Sequence, residues 1–309
     1  MKKESFYYDS KVDGKRIHAV KYIPEGDISA ILQISHGMVE YIERYEDFAQ
    51  FLCDNGFLVV GNDHRGHGGT AESEVEFGYF AKLKPTETVL SDIHTLTSLT
   101  KAEYPNLPYF LLGHSMGSFF ARKYLCEYGE LLTGAIIMGT GCQSRLLVKA
   151  GKTLTRIITL FKGDKCQSPF IESIAFVAYN KAFEPRRTNK DWLTKDTDVV
   201  DKYIADKFCS FAFTLNGYYG MFDCIDSLYN KKNLNRIPKE LPVLFVSGSL
   251  DPVGEFEKGV VRVYNHFKKV GMKNIQLKFY KDDRHEILNE TDRAIVYEDI
   301  LSWIKSNIK

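Results

Sequence analysis

Short apolar runs and amphipathic stretches alternate along most of this chain, with one long interruption. Residues 4–8 and 15–23 alternate in polarity around Asp13-Gly14, a pair suited to positive φ, so the spacing predicts an opening β-hairpin. Ala30–Ser35 (AILQIS) is an apolar run that stops at His36-Gly37, the pattern of a buried strand meeting a loop. Apolar residues at helical spacing over 45–55 predict a helix closed by Asn55-Gly56, and FLVVG at 57–61 predicts the next strand. Pro85 opens a helix that runs to Glu103. Strands are expected at 109–112 and 135–138, with a helix over 115–128 between them. After the interruption come a strand at 243–246, a helix over 254–270, a strand at 275–280 and a helix over 289–308. Buried strands alternating with helices specify an α/β protein: a mostly parallel central sheet with helices on both faces.

The interruption, residues 141–230, is helical and aromatic in character and has no convincing strand. Residues 1–140 and 231–309 are therefore expected to form the core, with 141–230 inserted as a helical cap. Lys and Arg number 41 against 40 Asp and Glu. Such a balance lacks the basic excess that nucleic-acid binding requires. Six scattered cysteines without a C-x-x-C pair read as thiols rather than a disulfide or zinc framework. With no signal-like or membrane-spanning run, the expected location is the cytoplasm.

Gly113-His114-Ser115-Met116-Gly117 fits G-x-S-x-G, and its setting matters more than the pattern, because so short a motif recurs by chance. A buried strand, YFLLGH, runs into it and an amphipathic helix, SFFARKYLCEY, leaves it. That is the setting of a nucleophile elbow, where Gly113 and Gly117 leave room for a sharp turn and Ser115 stands at the sheet edge. A serine hydroxyl needs a base, and the base needs an orienting acid. Asp251 follows the strand VLFVSG and His285 follows IQLKFY, both placed to reach the same edge. Asp223 or Asp226 at the end of the insertion are rival acids, and Asp282 and Asp283 are expected to face solvent. His18, His94 and His266 are expected to be structural residues of surface elements. Acyl transfer also needs amide donors for the oxyanion. The first is Met116, just after the serine, and the second is expected from Met38, where Gly37 keeps the approach open.

Taken together, HGMVEYIERY (36–45), NDHRGHGGT (62–70), GHSMG (113–117), SGSLDPVG (247–254) and RHEILNE (284–290) resemble the monoacylglycerol lipase and lysophospholipase-like α/β-hydrolases. The likeness runs from near residue 14 to the C-terminus. It implies a serine hydrolase with the triad Ser115, Asp251 and His285, oxyanion amides of Met38 and Met116, and no metal or organic cofactor. Asp63, Arg65, Gly66, His67 and Gly68 correspond to a structural loop behind the site. A zinc reading of His64 and His67 lacks further ligands. DWLTKD (191–196) is similar to the cap of bacterial lysophospholipase-like members. The implied substrate is a lipid-like ester; a thioester, an amide or an acyl acceptor remains the alternative on the same triad, and a non-catalytic binder a further one. The aromatic residues from Phe161 to Phe222 serve either an acyl pocket or the cap's own core. Lys149, Lys152, Arg156 and Lys162 form a basic stripe, either a solvated face or a contact for a membrane surface.

Overall fold

The computed structural model describes residues 1–176 and 179–308, with the side chains of 174–178 left out. Eight strands form one sheet: β1 Lys2–Asp9, β2 Arg16–Ile23, β3 Ala30–Ser35, β4 Phe57–Asn62, β5 Tyr109–His114, β6 Gly134–Met138, β7 Val243–Gly248 and β8 Ile275–Tyr280. Their order is β1-β2-β4-β3-β5-β6-β7-β8. The hairpin pairs β1 with β2, β2 runs antiparallel to β4, and the remaining pairs are parallel.

Every residue of β3, β4, β5, β6 and β7 is buried, which is why those segments read as continuous apolar runs. Their side chains alternate between two cores. Tyr109 and Leu111 face one group, with Ile93, Phe120, Tyr124 and Phe267 from α2 (Pro85–Glu103), α3 (Met116–Tyr128) and α9 (Lys258–Lys269). Phe110 and Leu112 face the other, with Phe48 and Leu52 from α1 (Glu46–Asp54) and Ile300 and Trp303 from α10 (Arg293–Ser306). Each fully buried Phe or Leu contributes about 1.5–3 kcal/mol, so both faces of the sheet depend on their helices.

Register places the site. Ser35 pairs with Gly113, His114 with Met138, and Gly248 with Tyr280. The carboxyl ends of β3, β5, β6, β7 and β8 therefore stop together, and the loops beyond them gather at one edge. Between β6 and β7 lie α4 (Arg145–Lys162), α5 (Pro169–Phe176), α6 (Thr197–Ala205), α7 (Leu215–Ser227) and the single turn α8 (Lys231–Leu234). Among the described residues that stretch holds no strand, only an isolated bridge between Gln167 and Thr214.

Candidate active site

Ser115 is the one residue between β5 and α3, with φ 52° and ψ −118°. A non-glycine residue held there stores roughly 1–3 kcal/mol of strain, so its surroundings must fix it. They do. Its N–H donates to Met138 O at 3.0 Å. A Cβ on Gly113 would stand 2.6 Å from Ala121 Cβ and strike Gly117 O, and one on Gly117 would strike Ser35 O. Only glycine lets strand and helix cross this closely.

His285 lies just beyond β8 and is 2% exposed, while Asp251, just beyond β7, is fully buried. The Nδ1–H of His285 donates to Asp251 Oδ1 at 2.9 Å, which leaves Nε2 as the acceptor nitrogen. Asp251 is itself held by Val253 N–H at 2.9 Å and by Ser247 Oγ at 3.2 Å. The His285 ring lies 4.9 Å from that of His114, the residue before the serine, and 5.0 Å from that of Trp192. Gly139 makes this possible, because a Cβ there would sit 3.1 Å from His285 Cε1.

A Cβ on Gly37 would lie 3.1 Å from the Cβ of Ser115, so the loop after β3 rests directly against the elbow. Among the described residues, neither the Met38 nor the Met116 N–H has a protein acceptor. Both residues line the same cavity as Ser115 and His285.

A buried polar network ties these loops together. Glu40 Oε1 accepts from Tyr45 Oη at 2.9 Å, lies 3.0 Å from His114 Nδ1, and accepts the Gly37 N–H. Arg44 donates to Glu40 Oε2 at 2.9 Å and to both oxygens of Glu286 at 2.9 and 2.7 Å. Burial opposes ionisation of Glu40, but the bond and charge of His114 and the charge of Arg44 outweigh it and hold its pKa far below the usual carboxylate range. Burial likewise opposes charging His114, and Glu40 overcomes it, raising that pKa. Two carboxylates, Glu40 and Glu286, thus share Arg44, and Glu40 also favours the charged form of His114. Sequence reasoning gave none of the four a role. The signal available was charge placed inside the very segments that carry Gly37, Ser115 and His285.

The cavity at Ser115 measures about 410 Å³, and residues of α4, α5, α6 and α7 are among those that line it. Phe213, Tyr218 and Phe222 line it, so part of the aromatic run faces the cavity. Phe161 and Phe170 are 85% and 58% exposed instead, and the Phe176 side chain lies outside the described residues. Asp223 binds Lys152 and Thr86, and Asp226 pairs with Arg145, so neither competes for His285. Two expectations are corrected. Asp283 is fully buried, with Lys195 Nζ at 2.6 Å, because the carboxyl edge of β7 closes over that loop; a Cβ on Gly248 would strike Asp283 O. His18 is buried rather than at the surface, fixed 2.7 Å from Asp63 under the structural loop.

Strand order, the strained serine between strand and helix, and an Asp–His pair at the same edge define an α/β-hydrolase. The chain belongs to the family described as serine aminopeptidase, S33, which matches residues 26–292. A monoacylglycerol lipase of Mycolicibacterium smegmatis is 26% identical over 302 residues, covering 96% of this chain and 95% of its own. Phospholipase YtpA of Bacillus subtilis is 23% identical, covering 87% and 92%. A carboxyl esterase from Bacillus coagulans superposes over the whole of both chains, with a TM-score of 0.92 and 29% identity. The protein is a serine hydrolase of the esterase and lipase type. No helix among the described residues is long and apolar enough to cross a membrane.

Proposed function

We propose that the chain hydrolyses the carboxylic ester of a single-chain lipid, of the monoacylglycerol or lysophospholipid kind, through Ser115, His285 and Asp251. His285 Nε2 takes the proton of Ser115 as its oxygen attacks the ester carbonyl, and the Met38 and Met116 amides hold the oxyanion. The imidazolium then protonates the departing alcohol, and water releases the fatty acid by the same steps in reverse order. Residues 141–230 act as a cap over a core made of 1–140 and 231–309. The observation that carries the reading is the apolar cavity that opens onto Ser115 between α4 and α7, a shape suited to an acyl chain. The names of the lipase and phospholipase relatives support it. Of the carboxylates that line the cavity, Glu40 and Glu286 are engaged by Arg44, so among the described residues a peptide amine would meet only the exposed Glu172. A fluorophosphonate probe is expected to label the protein on the peptide containing Ser115, and a panel of p-nitrophenyl esters to be cleaved at rates graded by acyl length. Labelling on another residue would overturn the assignment.

The reading extends to a membrane surface. Leu146, Leu160 and Phe161 of α4 are 80%, 79% and 85% exposed, among basic residues on a helix without a single acid. Leu147, 70% exposed, also lines the cavity, so this apolar face adjoins its mouth. Basic amphipathic helices of this kind rest on anionic bilayers. Leu160→Glu with Phe161→Glu is expected to weaken binding to phosphatidylglycerol vesicles about tenfold or more in a sedimentation assay. Equal binding by the native and doubly substituted proteins would remove α4 from that role.

A further inference from the structure

Residues 191–195 lie in the insertion by their place in the chain, yet their hydrogen bonds run to the loop that carries His285. Up to Asp283 that loop is tied to the end of β7. Asp283 O accepts the Leu250 N–H at 2.8 Å, and the Asp282 N–H donates to Ser249 Oγ at 2.9 Å. The next three amides turn away from the sheet. His285 N–H donates to Trp192 O at 3.4 Å, Glu286 N–H to Leu193 O at 2.7 Å, and Arg284 N–H to Glu290 Oε1 at 2.8 Å. Glu290 is fully buried, and its other oxygen accepts the Lys195 N–H at 3.0 Å. One carboxylate thus bridges the two segments. Side chains complete the join: Arg284 donates to Asp191 O and, at 3.2 Å, to Thr194 O, while Thr194 Oγ1 donates to Asn289 O at 3.1 Å.

Charge locks the join. Lys195 Nζ lies 2.6 Å from the buried Asp283, 3.7 Å from Asp292 and 3.9 Å from Glu290. Burial and the charges of Glu290 and Asp292 push the Asp283 pKa up to about 6, against the pull of Lys195. Tyr280, at the end of β8, also feels the Asp283 charge. Without the ammonium, Asp283 would face Glu290 and Asp292 as a buried carboxylate lacking its counter-charge, a state that takes up a proton instead.

Asp251 fixes the Nδ1 side of the imidazole, but the backbone of 284–286 decides where the ring begins. A general base works only within hydrogen-bond reach of its proton, and a displacement of about 1 Å can cost about 10²-fold in rate. We infer that Lys195 and Glu290 are positioning residues for His285, holding the catalytic loop from the side of the insertion. This rests on the reading of His285 as the base. It also gives DWLTKD a purpose: that stretch supports the triad.

The test measures kcat and KM for p-nitrophenyl butyrate from about pH 5 to about pH 9 in Lys195→Met, Lys195→Arg and Glu290→Gln. Rates are referred to sites counted by complete reaction with the fluorophosphonate, so an unfolded fraction does not enter. Lys195→Met is expected to lower kcat about tenfold with KM within about twofold of native. Its acid limb should move to higher pH, because Asp283 without the ammonium is protonated nearer neutrality. Lys195→Arg should restore both. Glu290→Gln, which offers one oxygen to two N–H groups, should lower kcat about 10²-fold. A loss in Lys195→Met that is equal at every pH would mark a packing defect and overturn the positioning role. Native kcat in both Lys195→Met and Glu290→Gln would overturn it as well. Native turnover in His285→Ala would instead overturn the assignment of the base beneath it.

Discussion

Ser115→Ala is expected to lower p-nitrophenyl butyrate turnover by about 10⁴-fold or more while the protein stays folded. The size follows from the way a triad acts as a unit: with Ser115 as the proposed nucleophile, its removal leaves only what the proposed oxyanion amides and binding can do. The fold should survive because the Ser115 hydroxyl makes no hydrogen bond to protein among the described residues. Its position is set instead by its backbone N–H on Met138 O and by the glycines on either side of the elbow. Alanine keeps the Cβ and the same left-handed φ, so the strain neither grows nor disappears. Circular dichroism and the thermal midpoint should match the native protein, and labelling by the fluorophosphonate should vanish. A folded variant that keeps turnover within tenfold of native would take the nucleophile's role away from Ser115.

Much of this site was legible because its parts sit where local chemistry and fold topology coincide. Ser115 sat between a strand and a helix with glycine two positions away on both sides, and that spacing has a steric cause visible in the chain itself. Asp251 and His285 were legible because each follows an apolar run with nothing between strand and side chain but a short turn. The elements themselves were readable for the same reason: the strands β3 and β8 and the helix α2 have the predicted boundaries, their ends being marked by His-Gly, proline or a polar turn. The helix expected over 254–270 starts only at Lys258, because Glu255, Phe256 and Glu257 all take positive φ in the turn that leads to it.

What stayed hidden depends on contacts between distant segments. Glu40 and Glu286 are 246 positions apart, and nothing local shows that one guanidinium will bind both. The burial of Asp283 follows from β7 and the histidine loop crossing at Gly248, again a matter of packing. Gly139 is a single glycine whose purpose appears only when the His285 ring is seen against it. The insertion was least readable of all. Its aromatic residues have no period that separates Phe213, which lines the cavity, from Phe161, which faces solvent.

Glu40→Gln is expected to damage both stability and rate, and its pH signature separates it from an ordinary packing defect. The carboxylate receives Gly37 N–H, Tyr45, Arg44 and His114, so the amide loses a charge-assisted bond and cannot serve all four. With a buried counter-charge gone, a loss of about 3 kcal/mol is expected, or roughly 10 °C in the thermal midpoint. Turnover should fall about 10²-fold, since the loop carrying Met38, the proposed oxyanion donor, is no longer pinned, and small displacements of oxyanion donors cost that much. His114 has its folded pKa raised above the ordinary 6.5, so its contribution is complete below that value and is lost as pH rises through the raised one. Glu40 has its folded pKa depressed below the ordinary 4.5, so its contribution is present above that value and is lost as pH falls through the depressed one. The stability difference between native and variant should therefore be greatest between about pH 4.5 and 6.5 and shrink on either side. Urea unfolding of both proteins from about pH 3 to about pH 9 measures it directly. A difference that stays level through neutral and alkaline pH would mean that Glu40 acts by filling space, with no charge on His114 behind it.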